Sequence, residues 1–139
     1  MTLVFTTSTP SETALRGIVL FAHGSRDPLW HRPMQTVAQG ILQNATGVAV
    51  ECAYLELSTP DLASACQSLL ARGVRTVTIV PLFLGVGKHA REDLPVLVDA
   101  LRTAHPHIVF ELQAAVGEDA RLIALLAEIA VERPQAPQN

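Results

Sequence analysis

Residues 17–22 read GIVLFA, and the chain turns at once to His23-Gly24-Ser25-Arg26-Asp27-Pro28. A short unbroken apolar run bounded by turn residues is what a strand buried on both faces requires. The same kind of unit recurs at Val48 to Leu55 (VAVECAYL), Arg75 to Leu82 (RTVTIVPL) and His107 to Leu112 (HIVFEL). The third of these strands is rich in β-branched residues, which suit a pleated, packed surface. Helical patterns fill the intervals. Residues 31–45 form one, ending near Gly47. A second starts at Thr59-Pro60-Asp61, with Thr59 as cap and Pro60 in the first position, and runs to Arg72 with Gly73 as its stop. A third covers 90–104 and closes at His105-Pro106. The last covers 118–132, with apolar positions at Leu122, Ile123, Leu125, Leu126, Ile129 and Ala130. Strand alternating with helix predicts an α/β three-layer sandwich: a four-stranded parallel sheet flanked by helices, with right-handed crossovers and a flavodoxin-like topology.

Composition bounds the rest. The chain has 139 residues, 49% hydrophobic and 17% charged, with a formal net charge of −3. That length fits one domain with a substantial core. The low charge and a mean hydropathy of +0.31 exclude a mainly disordered chain. No apolar run reaches the roughly 18 residues of a membrane span, and no basic excess points to nucleic acid. Cys52 and Cys66 make no disulfide framework and read as buried, inert thiols. Residues 1–15 read as a flexible leader rich in Thr and Ser without the marks of a targeting segment. The domain then covers 16–132, residues 133–139 form a flexible tail, and the cytoplasm is the expected compartment.

Open parallel sheets gather ligands at the carboxyl ends of their strands. There this chain carries His23 after the first strand and Glu56 after the second. After the third comes the loop Phe83 to His89 (FLGVGKH), followed by Arg91. The fourth strand is followed by Gln113 to Gly117, without a titratable side chain. An imidazole, a carboxylate and a second imidazole therefore share one rim. Such a set suits Fe, Co, Ni, Cu or Zn and leaves coordination positions open. Taken singly, each residue has a plainer reading: a structural histidine, a surface or capping glutamate. Ser25 and Asp27 read as caps of the following helix or as ligand contacts. Arg26, Lys88 and Arg91 read as a cationic rim for an acidic ligand or as a solvated loop face. Trp30 packs a loop or a subunit contact, or stacks on a planar ligand. His31 reads as a surface residue. His105 and His107 fall at the opposite edge of the sheet and are not expected as ligands. Gly85 and Gly87 give the third loop freedom to turn.

AHGSRDP at 22–28, YLELSTPDL at 54–62 and VPLFLGVGKHAREDLP at 80–95 together resemble the small class II chelatases of the CbiX type, the sirohydrochlorin cobalto- and ferrochelatases. The likeness spans nearly all of residues 16–130. The family often carries more glycine, or a further aromatic residue, before its second histidine, where this chain reads Leu84-Gly85-Val86-Gly87-Lys88. The resemblance implies a chelatase-like fold and a lyase activity. His23 and His89 would bind an incoming divalent metal (cobalt, or iron or nickel), with Glu56 beside them as ligand or proton acceptor. The metal is a substrate, inserted into a sirohydrochlorin-type tetrapyrrole in cobalamin or sirohaem synthesis, and no organic cofactor is expected. Ser25, Arg26, Lys88 and Arg91 would contact the substrate. The single-domain length matches the short form of the family, which implies a homodimer that encloses the macrocycle.

The chemistry agrees with that expectation. Insertion exchanges two pyrrole N–H protons for a cation, so the site must hold metal loosely and accept protons near neutral pH. Few ligands with open positions meet the first need, and histidine meets the second. Two other readings use the same residues. A non-enzymatic metal carrier would bind the ion through the two histidines and leave the tetrapyrrole unchanged. A histidine phosphatase would need an arginine immediately before His23, where this chain has Ala22. A nucleotide-binding module lacks G-x-G-x-x-G and G-x-x-x-x-G-K-[ST].

Overall fold

The computed structural model describes residues 15–134. Four strands, β1 (Arg16–Ala22), β2 (Val48–Tyr54), β3 (Thr76–Pro81) and β4 (Val109–Leu112), alternate with four helices, α1 (Arg32–Asn44), α2 (Leu62–Ala71), α3 (Lys88–Ala104) and α4 (Ala120–Val131). Short 3-10 turns at Pro28–His31 and Val116–Glu118 precede α1 and α4. The strands form one sheet in the order β2-β1-β3-β4, with every pairing parallel. This is the α/β architecture that the alternating pattern predicts. The leader before Leu15 and the tail beyond Pro134 lie outside the described residues.

The opening apolar run becomes the central strand. β1 pairs with β2 from Arg16↔Val48 to Ala22↔Tyr54, and with β3 from Arg16↔Thr76 to Phe21↔Pro81. Val19, Leu20, Phe21 and Ala22 are all buried, so both faces of β1 are covered. On one face Val19, Phe21, Ala53, Val77, Ile79 and Phe110 pack against Leu62, Cys66, Leu69, Val98 and Leu101 of α2 and α3. Each large aliphatic or aromatic side chain buried there contributes about 1.5–3 kcal/mol relative to exposure. On the other face Met34 of α1, with Trp30, covers Ala22, Cys52 and Tyr54.

Two local expectations are corrected. α2 is capped by Asp61, whose carboxylate accepts from the Ser64 amide at 2.8 Å, and not by Thr59. The Pro60 carbonyl accepts from the Tyr54 amide at 2.9 Å, which holds Thr59-Pro60 (a cis peptide) at the end of β2 and delays the helix to Leu62. Gly73, at φ 89°, ends α2 as its sequence predicts. The second correction concerns α4. Asp119 caps it, accepting from the Arg121 amide at 2.8 Å. None of its residues is buried, and Ile123, Leu125 and Ile129 are each at least half exposed. Its main contact is the preceding turn, and it does not serve as a layer over the sheet. Val109 and Glu111 of β4 are accordingly exposed. Arg16 donates to the Thr78 hydroxyl at 3.1 Å, and that hydroxyl donates to Glu111 at 3.3 Å, a polar ladder across β1, β3 and β4. Among the described residues, no helix is long and apolar enough to cross a membrane.

Candidate functional site

The backbone ladder runs on past the strand ends and sets the rim. The Leu55 amide donates to the Ala22 carbonyl and the Glu56 amide to the His23 carbonyl, both at 2.9 Å. On the other side of β1, the Leu82 amide donates to the Phe21 carbonyl at 2.7 Å. The first residues of three loops are thereby held in register with one another.

His23 is exposed, but its ring is not adrift. It lies on Phe83, with ring centroids 4.4 Å apart and planes tilted by 35°. Phe83 is buried and stands edge-on to Phe21 at 6.0 Å. One imidazole face is thus fixed by the core while the remainder of the ring meets solvent. Gly24 follows at φ 109°, and a Cβ there would collide with the Glu56 carbonyl. The His23 loop can therefore cross close over the Glu56 loop only with glycine at this place. Leu57, directly after Glu56, has φ 65°, an uncommon conformation for a side chain with a Cβ. Glu56 itself is exposed.

His89 was expected in a loop ahead of a helix over 90–104. It lies instead in the first turn of α3, which starts at Lys88 behind Gly87 as N-cap. Glycine serves as an N-cap without a side-chain bond, so the helix needs no Ser, Thr or Asp to begin two residues early. The imidazole of His89 is exposed beside the free amides and positive dipole end of the helix. The next residue, Ala90, is buried against Phe83. Phe83 therefore connects the two histidine-bearing segments: it carries the ring of His23 and packs against the helix turn of His89. Sequence reading passed over it as a loop residue.

The three expected ligands share the strand-end rim without closing into a cage. Among the described residues, no group of three or more His, Cys, Asp or Glu side chains is placed to hold an ion. Arg26, Lys88 and Arg91 are all exposed. The ion pairs among the described residues, Arg102–Asp99 and Arg121–Asp119, involve none of them. Arg91 lines a cleft with Phe83, Val86, Leu112 and Glu118, alongside α3. Ser25 works inside its own loop, where its hydroxyl accepts from the Asp27 amide at 3.0 Å. Asp27 caps the Pro28–His31 turn by accepting from the Leu29 amide at 2.9 Å, one of the two roles read from the sequence. Trp30 packs against Tyr54 and Met34, the loop-packing role.

His31 is a correction. It is half-buried, with Nε2 2.9 Å from the Ser58 hydroxyl and its ring 4.8 Å from that of Tyr54. The tight Pro28–His31 turn folds the side chain back toward the end of β2. The periodicity of an exposed helix start gives no sign of this. His105 packs beside Phe110 and His107 is exposed, both just before β4 and away from the rim. Burial pushes the Cys66 thiol up to about 11. The Cys52 thiol is raised by burial and by the neighbouring Glu51. Neither offers a thiolate at neutral pH.

Comparison with known proteins adds an independent line. A model of the CbiX family matches residues 17–133. The chain is 27% identical over 112 residues to the sirohydrochlorin cobaltochelatase of Sulfolobus acidocaldarius, across 81% of this chain and 87% of that one. It is 27% identical over 125 residues to the sirohydrochlorin cobaltochelatase of Saccharolobus solfataricus, across 88% and 96% of the two chains. The crystal structure of a CbiX protein from Marinobacter aquaeolei VT8 matches with a TM-score of 0.71 and 30% identity, over 83% of this chain and 93% of that one. The sirohydrochlorin chelatase SirB of Bacillus subtilis subspecies spizizenii, in complex with cobalt, matches with a TM-score of 0.70 at 21% identity. This chain spans 49% of SirB, and that likeness speaks for the fold alone.

Proposed function

The chain belongs to the CbiX family, and on that premise we propose that it is a sirohydrochlorin chelatase, a lyase-class enzyme that inserts a divalent metal into the tetrapyrrole. Cobalt is the proposed metal, supported by the cobaltochelatases among its relatives, with iron and nickel as the competing ions. His23 and His89 receive the ion. Glu56 stands beside His23 as a further ligand or as proton acceptor. The observation that carries this reading is the shared support of the two histidines: Phe83 holds the ring of one and the helix turn of the other.

The chemistry follows from that arrangement. A divalent ion held by few protein ligands keeps exchangeable positions, so pyrrole nitrogens can replace them one at a time. Each imidazole that releases the ion regains a lone pair at the place where a pyrrole N–H proton must leave. General-base help of this kind is worth about 10²–10⁴ in rate. The substrate is a polycarboxylate, and Arg26, Lys88, Arg91 and the positive end of α3 favour anionic groups at the rim. Ser25 is proposed as a further substrate contact at that rim.

The protein acts as a homodimer. The exposed apolar side of α4 supports this, since a contiguous exposed apolar face marks a contact surface. So does the small single sheet, which has too little surface to enclose a macrocycle alone. A cytoplasmic setting is supported by the two free thiols.

Anaerobic incubation of the chain with sirohydrochlorin and Co²⁺, Fe²⁺ or Ni²⁺, followed by absorbance, tests the reading. The macrocycle spectrum should convert at a rate well above that without protein, fastest with Co²⁺. Metal binding with no spectral conversion would make the protein a carrier, and absence of both would overturn the proposal.

A further inference from the structure

The loop that carries His23 and the loop that carries Glu56 are joined a second time beyond their backbone bond, and the joint is a single hydroxyl. Ser58 Oγ donates to the Ser25 carbonyl at 2.5 Å and accepts from the Ser25 amide at 3.0 Å. A serine hydroxyl has one proton and two lone pairs. Its proton is given to Ser25, so the remaining contact, His31 Nε2 at 2.9 Å, is one in which the imidazole donates. The tautomer that satisfies all three contacts is the one with the proton on Nε2. The ring's orientation is set by Tyr54 at 4.8 Å and Trp30 at 5.7 Å, both edge-on.

We propose that His31 is a positioning residue for the metal site, acting through the Ser58 hydroxyl to lock the His23 loop onto the Glu56 loop. This rests on the chelatase reading above. Ser25 is two residues past His23, and Ser58 is two residues past Glu56. Between Glu56 and Ser58 lies Leu57 in its left-handed conformation, which a side chain with a Cβ adopts only where its surroundings impose it. The hydroxyl bridge is that surrounding constraint. Without the imidazole donor, the Ser58 hydroxyl keeps its two bonds to Ser25 but loses the third partner that braces it against the turn. The backbone ladder and the Ser58–Ser25 bonds still join the two loops, but the bridge is no longer braced from outside, and the approach of the His23 loop to the Glu56 loop is set less firmly. Three side chains outside the ligand set (His31, Ser58 and Tyr54) thus decide how the ligands face one another.

The test compares His31→Leu, His31→Gln and Ser58→Ala with the wild-type chain in single-turnover Co²⁺ insertion. Leucine keeps the apolar packing but has no donor, whereas the glutamine amide can supply an N–H to Ser58. Loss of an outer partner of this type costs about 10–100-fold in activity. His31→Leu and Ser58→Ala should each lower kcat by that factor with KM for sirohydrochlorin within about threefold. His31→Gln should recover most of the rate. The double variant should be no slower than either single one, because both remove the same bridge. Full activity in His31→Leu, equal loss in His31→Gln, or multiplicative losses in the double variant would overturn the proposal. Nitrogen-15 spectra of the imidazoles judge the bridge independently of turnover, so an inactive wild type would sink the chelatase reading without blurring this one. His31 should show an Nε2 proton in slow exchange with water, and Ser58→Ala should speed that exchange. A proton on Nδ1 with a bare Nε2 would overturn the bridge.

Discussion

Replacing Phe83 by leucine separates the two tasks of that ring. Phe83 is buried among Phe21, Ala90 and Val86, and it forms the platform under the His23 imidazole at 4.4 Å. Leucine preserves most of the apolar contact, so repacking costs under about 1.5 kcal/mol. The edge-on contact with Phe21 and the stack with His23 are lost as well, each worth about 0.5–1.5 kcal/mol. Only the Phe21 contact bears wholly on the core, because His23 is exposed in either case. The predicted destabilisation is therefore about 0.5–3 kcal/mol against a total of about 5–15 for a domain, and the variant stays folded. Urea unfolding should show a lower midpoint with an unchanged slope. The freed imidazole must then be ordered when metal arrives, so Co²⁺ affinity should fall by roughly the worth of one stack, about 2–10-fold. Unchanged stability and unchanged Co²⁺ affinity in Phe83→Leu would show that the ring supports neither the core nor His23. Complete loss of affinity would likewise count against this role, since it would make Phe83 more than a support.

His89→Ala should abolish insertion while circular dichroism and the unfolding midpoint stay near wild type, since the side chain is exposed and takes no part in the core. Unfolding, or full activity, contradicts this. The Asp61 carboxyl is held below its ordinary 3.8 by the hydrogen bonds it receives from Ser64 at the start of α2. Its folded-state pKa is depressed, so its contribution is complete above pH 3.8 and fades as pH falls through the lower folded value. Asp61→Asn keeps a capping oxygen and removes that titration. Its urea midpoint should fall less than that of the wild type between pH 5 and pH 3, and parallel losses would refute the assignment. Ile129→Glu in α4 changes an exposed position, so the monomer's stability should move by less than about 0.5 kcal/mol, while sedimentation should show the dimer dissociating. A dimer that persists unchanged would remove α4 from the interface.

The parallel order of the strands was legible because burial on both faces leaves a mark in composition: four apolar runs of strand length with helical patterns between them. His23 and Glu56 were legible as strand-end residues, and His89 as the close of the loop after β3, because an open parallel sheet gathers these loops at the carboxyl ends of its strands. What the sequence hid was geometry at the level of single bonds. His89 falls inside α3 because a glycine cap has no side-chain signature. Asp61 wins the cap from Thr59 because Pro60 is tied to Tyr54, a contact that periodicity does not encode. Phe83 was passed over, and His31 was read as a surface residue, for a related reason. Each acts through a neighbour on another loop, and only the fold brings Phe83 under His23 or His31 against Ser58. The bareness of α4 was equally hidden, since an apolar helix pattern reads the same whether its cover is the same chain or another.

The proposed chemistry requires that His23 and His89 receive one divalent ion at a common rim. Stepwise addition of paramagnetic Co²⁺ to the chain, with the imidazole resonances followed by NMR, tests it most directly. The His23 and His89 signals should broaden together as the ion is added, before those of His105 and His107. Broadening of only one of the pair, or of His105 and His107 first, would contradict it.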